Sequence, residues 1–431
     1  MRSERPQSVA VVGLGYVGLS LAVALARHFE VIGLDNDALR VSQLADGNDR
    51  NDMFPSEALT QPTLHLTTDP DTLKASDVVI VAVPTPVDES NAPDLTALQG
   101  ACAVVGARIK RDAIVVFEST VFPGCTEEEC VPLLEQASGM TAHRDFGVGY
   151  SPERIDPGDR THGLADVVKV VSAGDPASLM TLAGMYGEVV PAGIHQAPSI
   201  RTAEAAKVIE NVQRDLNIAL MNELSILFHK MDLNTADVLA AAGTKWNFVR
   251  LNPGLVGGHC IPVDPYYLVH KSRQLGYEPR VILAGRETND AMARYVAEQT
   301  ADLLGADASG NRSRRVLVMG LTFKADVRDT RNAQASVLVA ELESRGVEVW
   351  VTDPLVSPTS QTGRYVDDPF TAGERFDGVV LAVPHESYRA RGVDEFLGLL
   401  DATVAKTAFV DLNGVFPQSA FEQAGVAYWC L

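Results

Sequence analysis

Cysteine is scarce in this chain: five in 431 residues, at positions 102, 125, 130, 260 and 430. Five are too few and too scattered for a disulfide framework, and an odd number leaves at least one thiol free, so a reducing setting, the cytoplasm, is expected. Positive charge is short as well. With 36 Lys and Arg against 56 Asp and Glu the formal net charge is -20, which disfavours nucleic acid, a partner normally met by a basic face. The deficit leaves room for an anionic nucleotide held locally by helix N-termini and a few placed Arg and Lys. Biased tracts are missing too. With 46% hydrophobic and 21% charged residues the chain has the balance of a globular protein rather than a disordered one. It is too long for a single core, so two or three domains are expected.

One apolar run, VAVVGLGYVGLSLAVALA from Val9 to Ala26, is long enough to suggest a membrane span. Its glycines argue otherwise. Gly13, Gly15 and Gly18 stand at GxGxxG spacing, which describes a buried strand, a tight turn and a buried helix, and no small-residue cleavage site follows. Neither a membrane segment nor a targeting signal is expected. From Val9 to about Val171 short β-branched runs (VAVVGL, VIGLD, DVVIVAV, AIVVFE, VVKVVS) alternate with helical stretches, the pattern of a parallel sheet with helices on both faces. Between Ser199 and Ala242 there is neither Gly nor Pro, and apolar residues recur at three and four. This predicts one helix of roughly 30 residues, about 45 Å long, which links two domains or forms a subunit interface unless it is simply a core helix. From about Arg314 strand-like runs return. Val316–Phe323 (VLVMGLTF) echoes Val9–Tyr16 (VAVVGLGY), and Asp377–Pro384 (DGVVLAVP) echoes Asp77–Pro84 (DVVIVAVP). Two related α/β domains flanking a helical middle are therefore expected, the second without the glycines that admit a pyrophosphate.

Several residue sets could carry chemistry. The glycines at 13, 15 and 18 allow close backbone approach to a pyrophosphate at a helix N-terminus, and Asp35, 22 residues after Gly13, can bond ribose hydroxyls while repelling a 2′-phosphate, which favours NAD. In GLVGGHCIPVDPYYL (254–268) two glycines precede Cys260, and Pro262 makes a regular strand unsuited, so a loop is expected. If a helical turn follows, Cys260 and Asp264 share a face and pair a nucleophile with a water-orienting group. Spacing alone leaves Cys260 equally open to being a buried, inert thiol. Adjacent residues rarely face each other, so His259 is assigned to structure or solvation. Lys207 and Asn211, four apart on the long helix, could stabilise an oxyanion or be a solvated pair. Glu153 sits in a turn-rich loop where an α/β sheet presents its crevice, or is merely a solvated acid. No metal site is indicated. Cys125 and Cys130 flank a Glu run with no functional reading.

Taken in order, GLGYVGL with Asp35, VPTP (83–86), ESTVFPG (118–124), YSPERIDPGD (150–159), the Lys207–Asn211 helix, GLVGGHCIPVDP and GLTFKADVRDTR (320–331) resemble the UDP-glucose/GDP-mannose dehydrogenase family over nearly the whole chain. The likeness is strongest to the bacterial branch acting on UDP-N-acetylhexosamines, which supplies uronic acids for surface polysaccharides. It implies two Rossmann-like doubly wound domains joined by a central long-helix domain: an NAD domain at 1–198, a helical dimerisation domain with the cysteine loop at 199–305 and a UDP-binding domain at 306–431. It further implies a cytoplasmic homodimer through the long helix, or a higher oligomer, oxidising C6 of a UDP-sugar twice with NAD. Carried over by motif, Cys260 is the nucleophile, Asp264 helps activate water, Lys207 and Asn211 hold the reacting oxygen, and Glu153 and Thr120 position water or move a proton. Gly13, Gly15, Tyr16, Val17, Gly18, Asp35, Arg40, Thr85, Thr120 and Arg331 are implied for the cofactor. Glu153, Arg154, Lys207, Asn211, Arg250, Gly257 and Lys324 are implied for the substrate. Three rivals stand beside this reading: a plain UDP-glucose 6-dehydrogenase, a one-step 3-hydroxyacid-type dehydrogenase needing no cysteine, and a non-catalytic nucleotide-sugar sensor.

Overall fold

The structure, a computed structural model, describes residues 5–51, 53–88, 90–154, 163–305, 313–356 and 363–431. Ile155–Asp159 of the YSPERIDPGD motif fall outside the described residues. The chain forms two compact units, Met1–Asn211 with Val263–Glu278, and Val212–Pro262 with Pro279–Leu431.

The first unit carries strands β1 (Ser8–Val12), β2 (Glu30–Leu34), β3 (Leu64–Thr67), β4 (Val78–Val81), β5 (Ile114–Phe117), β6 (Gly147–Tyr150), β7 (Lys169–Ala173) and β8 (Ile194–Gln196) in the order β3-β2-β1-β4-β5-β6-β7-β8. The centre of the sheet is β-branched and fully buried, as in Val78–Val81 and Ile114–Phe117, because helices cover both faces. Two features depart from the parallel sheet that the apolar runs predict. β7 pairs antiparallel to β6, so Lys169, the first residue of β7, arrives at the end of the sheet where the parallel strands finish. β6 itself reads GVGY, a poor strand by propensity. A Cβ on Gly147 would stand 2.2 Å from Ser178 Oγ and one on Gly149 2.4 Å from Leu182 Cδ1. The glycines are there because the helix Pro176–Gly187 packs directly on the strand.

The second unit carries β9 (Arg315–Met319), β10 (Glu348–Thr352), β11 (Arg364–Tyr365), β12 (Gly378–Leu381), β13 (Ala408–Asp411) and β14 (Ala427–Trp429), all parallel, in the order β11-β10-β9-β12-β13-β14. This is the strand order of the first six strands of the other sheet and that of dinucleotide-binding folds. The sequence echo is therefore a topological one, and it extends to the turns. Gly13 (φ +93°) and Gly320 (φ +94°) are both left-handed, and each amide donates to the end of the neighbouring strand, at Leu34 O (2.8 Å) and Thr352 O (2.9 Å). The next amides, Leu14 and Leu321, donate to Asp35 Oδ2 (2.7 Å) and Asp353 Oδ2 (2.6 Å).

The long helix runs Ile200–Lys230, 31 residues, close to the length predicted from the missing Gly and Pro. Its first residues belong to the first unit and the remainder to the second. Among the described residues no helix is long and apolar enough to cross a membrane.

Candidate active site

Two groups of predicted residues come together in the first unit. In the glycine turn the helix Tyr16–Leu25 begins at Gly15 with no side-chain cap, and a helix N-terminus suits an anion. A Cβ at Gly15 would touch nothing within 4 Å, whereas one at Gly13 would lie 2.7 Å from Ala82 O and one at Gly18 1.8 Å from Gly13 O. The turn is thus closed from below and bare above, as a pyrophosphate requires. Asp35 spends Oδ2 on Leu14 N and Oδ1 on Asp37 N (2.9 Å) and stays partly exposed. Arg40 is 1% exposed; it pairs with Asp49 (2.7 Å) and donates to Leu14 O (3.2 Å), which braces the turn from beneath.

The second group lies on the long helix and on the helix Asp264–Gln274, where Pro265 occupies the first turn, a position in which its missing N–H costs nothing. Lys207, Asn211 and Asp264 are all buried. Asn211 Nδ2 donates to Asp264 Oδ2 at 2.5 Å. Burial pushes the Asp264 carboxyl up to about 6, against the opposing pull of the Lys207 ammonium and the Asn211 bond. Tyr267, three residues on, donates its hydroxyl to Thr85 O, and Thr85 Oγ1 donates to Thr120 O (2.7 Å). The two predicted threonines are therefore tied together and fixed by a buried tyrosine. Glu153 is buried, with Oε1 accepting from Arg154 N (2.7 Å); the Arg154 guanidinium pairs with Glu210 (2.7 Å) and donates to Val168 O (2.9 Å). Behind Glu153, Lys169 Nζ bridges Glu118 Oε2 (2.5 Å) and Pro152 O (3.0 Å), and Tyr186 Oη donates to Glu118 Oε1. Burial raises the Glu118 carboxyl although Lys169 opposes it.

The cysteine segment belongs to the second unit. The regular helix starts at Asp264, Ile261–Val263 form a turn leading into it, and Cys260, partly exposed, sits in the bend before that turn. The preceding glycines are explained by neighbours: a Cβ on Gly257 would stand 2.8 Å from Asn332 O, and one on Gly258 (φ +90°) 2.8 Å from the Phe323 ring. His259 packs edge-on against Phe323 (centroids 5.3 Å, 76°) and its Nε2 accepts from Arg331 (3.3 Å). Burial, then Arg331, lowers the imidazole, so it is a neutral acceptor with a structural part, as adjacency to Cys260 suggests. Arg331 also grips Asp329 (2.5 Å), and Lys324 is partly buried on the same segment. Arg250 donates to Gly243 O (2.5 Å) at the C-terminus of the helix Thr235–Ala242, a favourable seat for a guanidinium.

Four supporting residues escaped the sequence reading. Tyr267 reads as one more core aromatic. Lys169 and Glu118 are 51 residues apart and share no local pattern. His385, 1% exposed, accepts from Asp326 N (3.0 Å) at Nδ1 and reaches Asp353 Oδ2 (3.2 Å) through Nε2, closing the second turn with a side chain where the first is bare. Among the described residues no group of three or more His, Cys, Asp or Glu is arranged for a metal.

Comparison with known proteins places this geometry. Protein CapL of Staphylococcus aureus is 47% identical over 89% of this chain and 91% of its own length. The UDP-N-acetyl-D-glucosamine 6-dehydrogenase of Pseudomonas aeruginosa is 46% identical over 90% and 92%. Among solved structures, the UDP-D-ManNAc dehydrogenase of Pyrococcus horikoshii superposes with a TM-score of 0.88 at 27% identity, covering 98% of each chain. Residues 7–190 match the NAD binding domain of the UDP-glucose/GDP-mannose dehydrogenase family, 201–291 its central domain and 317–418 its UDP binding domain. With the open glycine turn, the buried Lys–Asn–Asp cluster and the cysteine segment in place, the chain belongs to the UDP-glucose/GDP-mannose dehydrogenase family and is an NAD-dependent nucleotide-sugar dehydrogenase.

Proposed function

We propose that the enzyme oxidises the C6 alcohol of a UDP-N-acetylhexosamine to the uronate in two steps, through a covalent intermediate on Cys260. The observation that carries the chemistry is the buried cluster of Lys207, Asn211 and Asp264. A desolvated ammonium and carboxamide suit an oxygen that becomes negative, and a carboxyl pushed up to about 6 suits a group that takes a proton near neutral pH. The sugar is inferred from the 46%-identical relative named for UDP-N-acetyl-D-glucosamine. NAD, once bound at the glycine turn with Asp35, supplies the acceptor for both oxidations.

Four electrons leave the alcohol carbon, so the aldehyde must be held between steps. The Cys260 thiolate attacks the aldehyde carbon, forming a C–S bond and an oxyanion that Lys207 and Asn211 stabilise. After the second oxidation the carbon is a thioester. Water then adds, Asp264 takes its proton, the C–S bond breaks and the thiolate returns with release of the acid. Thr120 and Glu153 position water; Thr85 and Arg331 serve the cofactor; Arg154, Arg250, Gly257 and Lys324 serve the sugar nucleotide. We assign the NAD domain to 1–198, the helical domain to 199–305 and the UDP-binding domain to 306–431. The working form is a cytoplasmic homodimer through the long helix, whose exposed Leu220 and Leu227 stand seven apart, on one helix face.

A panel of UDP-hexoses with NADH counted per sugar tests this. Two NADH per UDP-N-acetylhexosamine, with the uronate seen by mass spectrometry, is the expected result. Turnover of UDP-glucose alone would overturn the sugar, and one NADH per sugar the two-step scheme. Cys260→Ser should bind NAD normally and lose turnover.

A further inference from the structure

The segment that delivers Cys260 is held at its start by a side chain that imitates a strand. Asn222, on the long helix and 0% exposed, accepts from Gly254 N at Oδ1 (2.8 Å) and donates from Nδ2 to Gly254 O (3.1 Å). One carboxamide thus satisfies both polar groups of a single residue, fixing its direction as a paired strand would. The remaining Nδ2 proton goes to Asn289 Oδ1 (2.8 Å), which permits only one orientation of the Asn222 amide. Asn289 is itself pinned, donating to Asp215 O (3.0 Å) and Oδ1 (2.7 Å), and Asp215 is held by Arg286 (2.5 Å). Asp215, Arg286 and Asn289 are each at most 2% exposed. A chain of buried polar groups of this length is costly to build and costly to break at its members. It ends on the backbone at Gly254.

Four residues later the segment meets a second carboxamide, as Asn332 Nδ2 donates to Gly258 O (3.1 Å), while Phe323 and Asn332 leave no room for a side chain at 257 or 258. Cys260 follows two residues beyond this pin. With both ends of Gly254–Gly258 fixed, only His259, itself packed on Phe323, lies between the held stretch and Cys260.

We propose that Asn222, oriented by Asn289, is a positioning residue for the Cys260 thiol: it sets the entry of the cysteine segment and hence where the sulfur stands. The proposal rests on the reading of Cys260 as the nucleophile. A misplacement of about 1 Å costs on the order of a hundredfold in rate, so a residue that touches no reactant can govern turnover this way.

The test uses Asn222→Ala, Asn289→Ala and their combination in the full-length enzyme. Two quantities are read beside the melting temperature: the rate at which iodoacetamide alkylates Cys260, followed by peptide mass spectrometry, and kcat per folded molecule with UDP-N-acetyl-D-glucosamine and NAD. Expected for Asn222→Ala are a change in alkylation rate of about threefold or more and a fall in kcat of about tenfold to a hundredfold. Asn289→Ala should move both in the same direction by less. The double variant should fall short of the product of the singles, since the two residues act on one path. A lower melting temperature with either alkylation or kcat within about twofold of the parent makes the network merely structural and overturns the proposal, as does strict additivity. If Asn222→Ala does not fold, Asn289→Ala, which leaves Asn222 in place, decides alone. Alkylation is read without turnover, so if Cys260→Ser proves fully active the nucleophile reading falls while the hold of Asn222 on the segment is still judged.

Discussion

At the scale of single residues the fold concentrates ionisable groups where water is excluded, and two of them make pH predictions of opposite use. Asp264, pushed up to about 6 by burial, can take a proton from water only when ionised. The kcat–pH profile should therefore rise to a plateau above about pH 6, and Asp264→Asn should lower kcat by about a hundredfold or more and remove that limb. A limb unchanged in the variant would reassign it. Glu204, 0% exposed, accepts from Gly124 N (2.5 Å) and Thr126 N (2.9 Å), yet burial pushes it up to about 7 from its usual 4.5. The native state then holds a proton that the unfolded chain has already lost, so this group takes stability away as pH rises from about 4.5 to 7. Glu204→Gln, always neutral, should gain on the parent across that window by roughly 2–3 kcal/mol. Melting temperatures of both proteins at pH 5 and pH 8 check this; an equal difference at the two values contradicts it. Neither acid's environment could be read from the sequence: the partners of Glu204 lie about 80 residues away, and burial of one face of a helix position is decided by what packs there.

Among elements, what was legible depended on whether its cause was local. The glycine turn, the buried strands β1, β4 and β5 and the extent of the long helix follow from spacing, β-branching and the absence of Gly and Pro, all written within a few residues. β6 was not legible, because its glycines answer to a helix that packs on it. The reversal of β7 left no mark in composition either. Asn222 reads as a polar residue on an exposed helix face, since nothing nearby in sequence shows the Gly254 peptide it meets. The turn offers a direct check. An alanine at position 18 would place its Cβ 1.8 Å from Gly13 O and must push the helix off the turn. Gly18→Ala should cost about 1–3 kcal/mol in NAD binding, a weakening of about fivefold to a hundredfold, measured by titration of the purified protein; unchanged affinity would mean the turn does not carry the cofactor.

For the whole molecule, three assignments rest on surfaces and order rather than on single contacts. Exposed Leu220 and Leu227 lie on the long helix, and Trp246, 92% exposed, on the loop after Thr235–Ala242; both are apolar surface of the kind that marks an association face. Leu227→Asp should shift the protein toward monomer in light scattering after size exclusion, and an unchanged mass would move the interface elsewhere. The repeated strand order was visible in advance as two short echoes, because parallel strands buried on both faces have little choice but β-branched residues. The content of the second turn was not, because His385 and Asp353 lie 32 positions apart. That contrast has a practical side. Both turns seat a carboxylate on the amide after the first glycine, Asp35 and Asp353, and the second adds the His385 imidazole against its carboxylate. Inhibitors can be sorted accordingly: compact pyrophosphate mimics that need naked backbone should compete at Gly13–Gly18, and ligands carrying hydrogen-bonding rings should compete at Gly320–Arg331, so selectivity between the two halves can be designed from the turns alone.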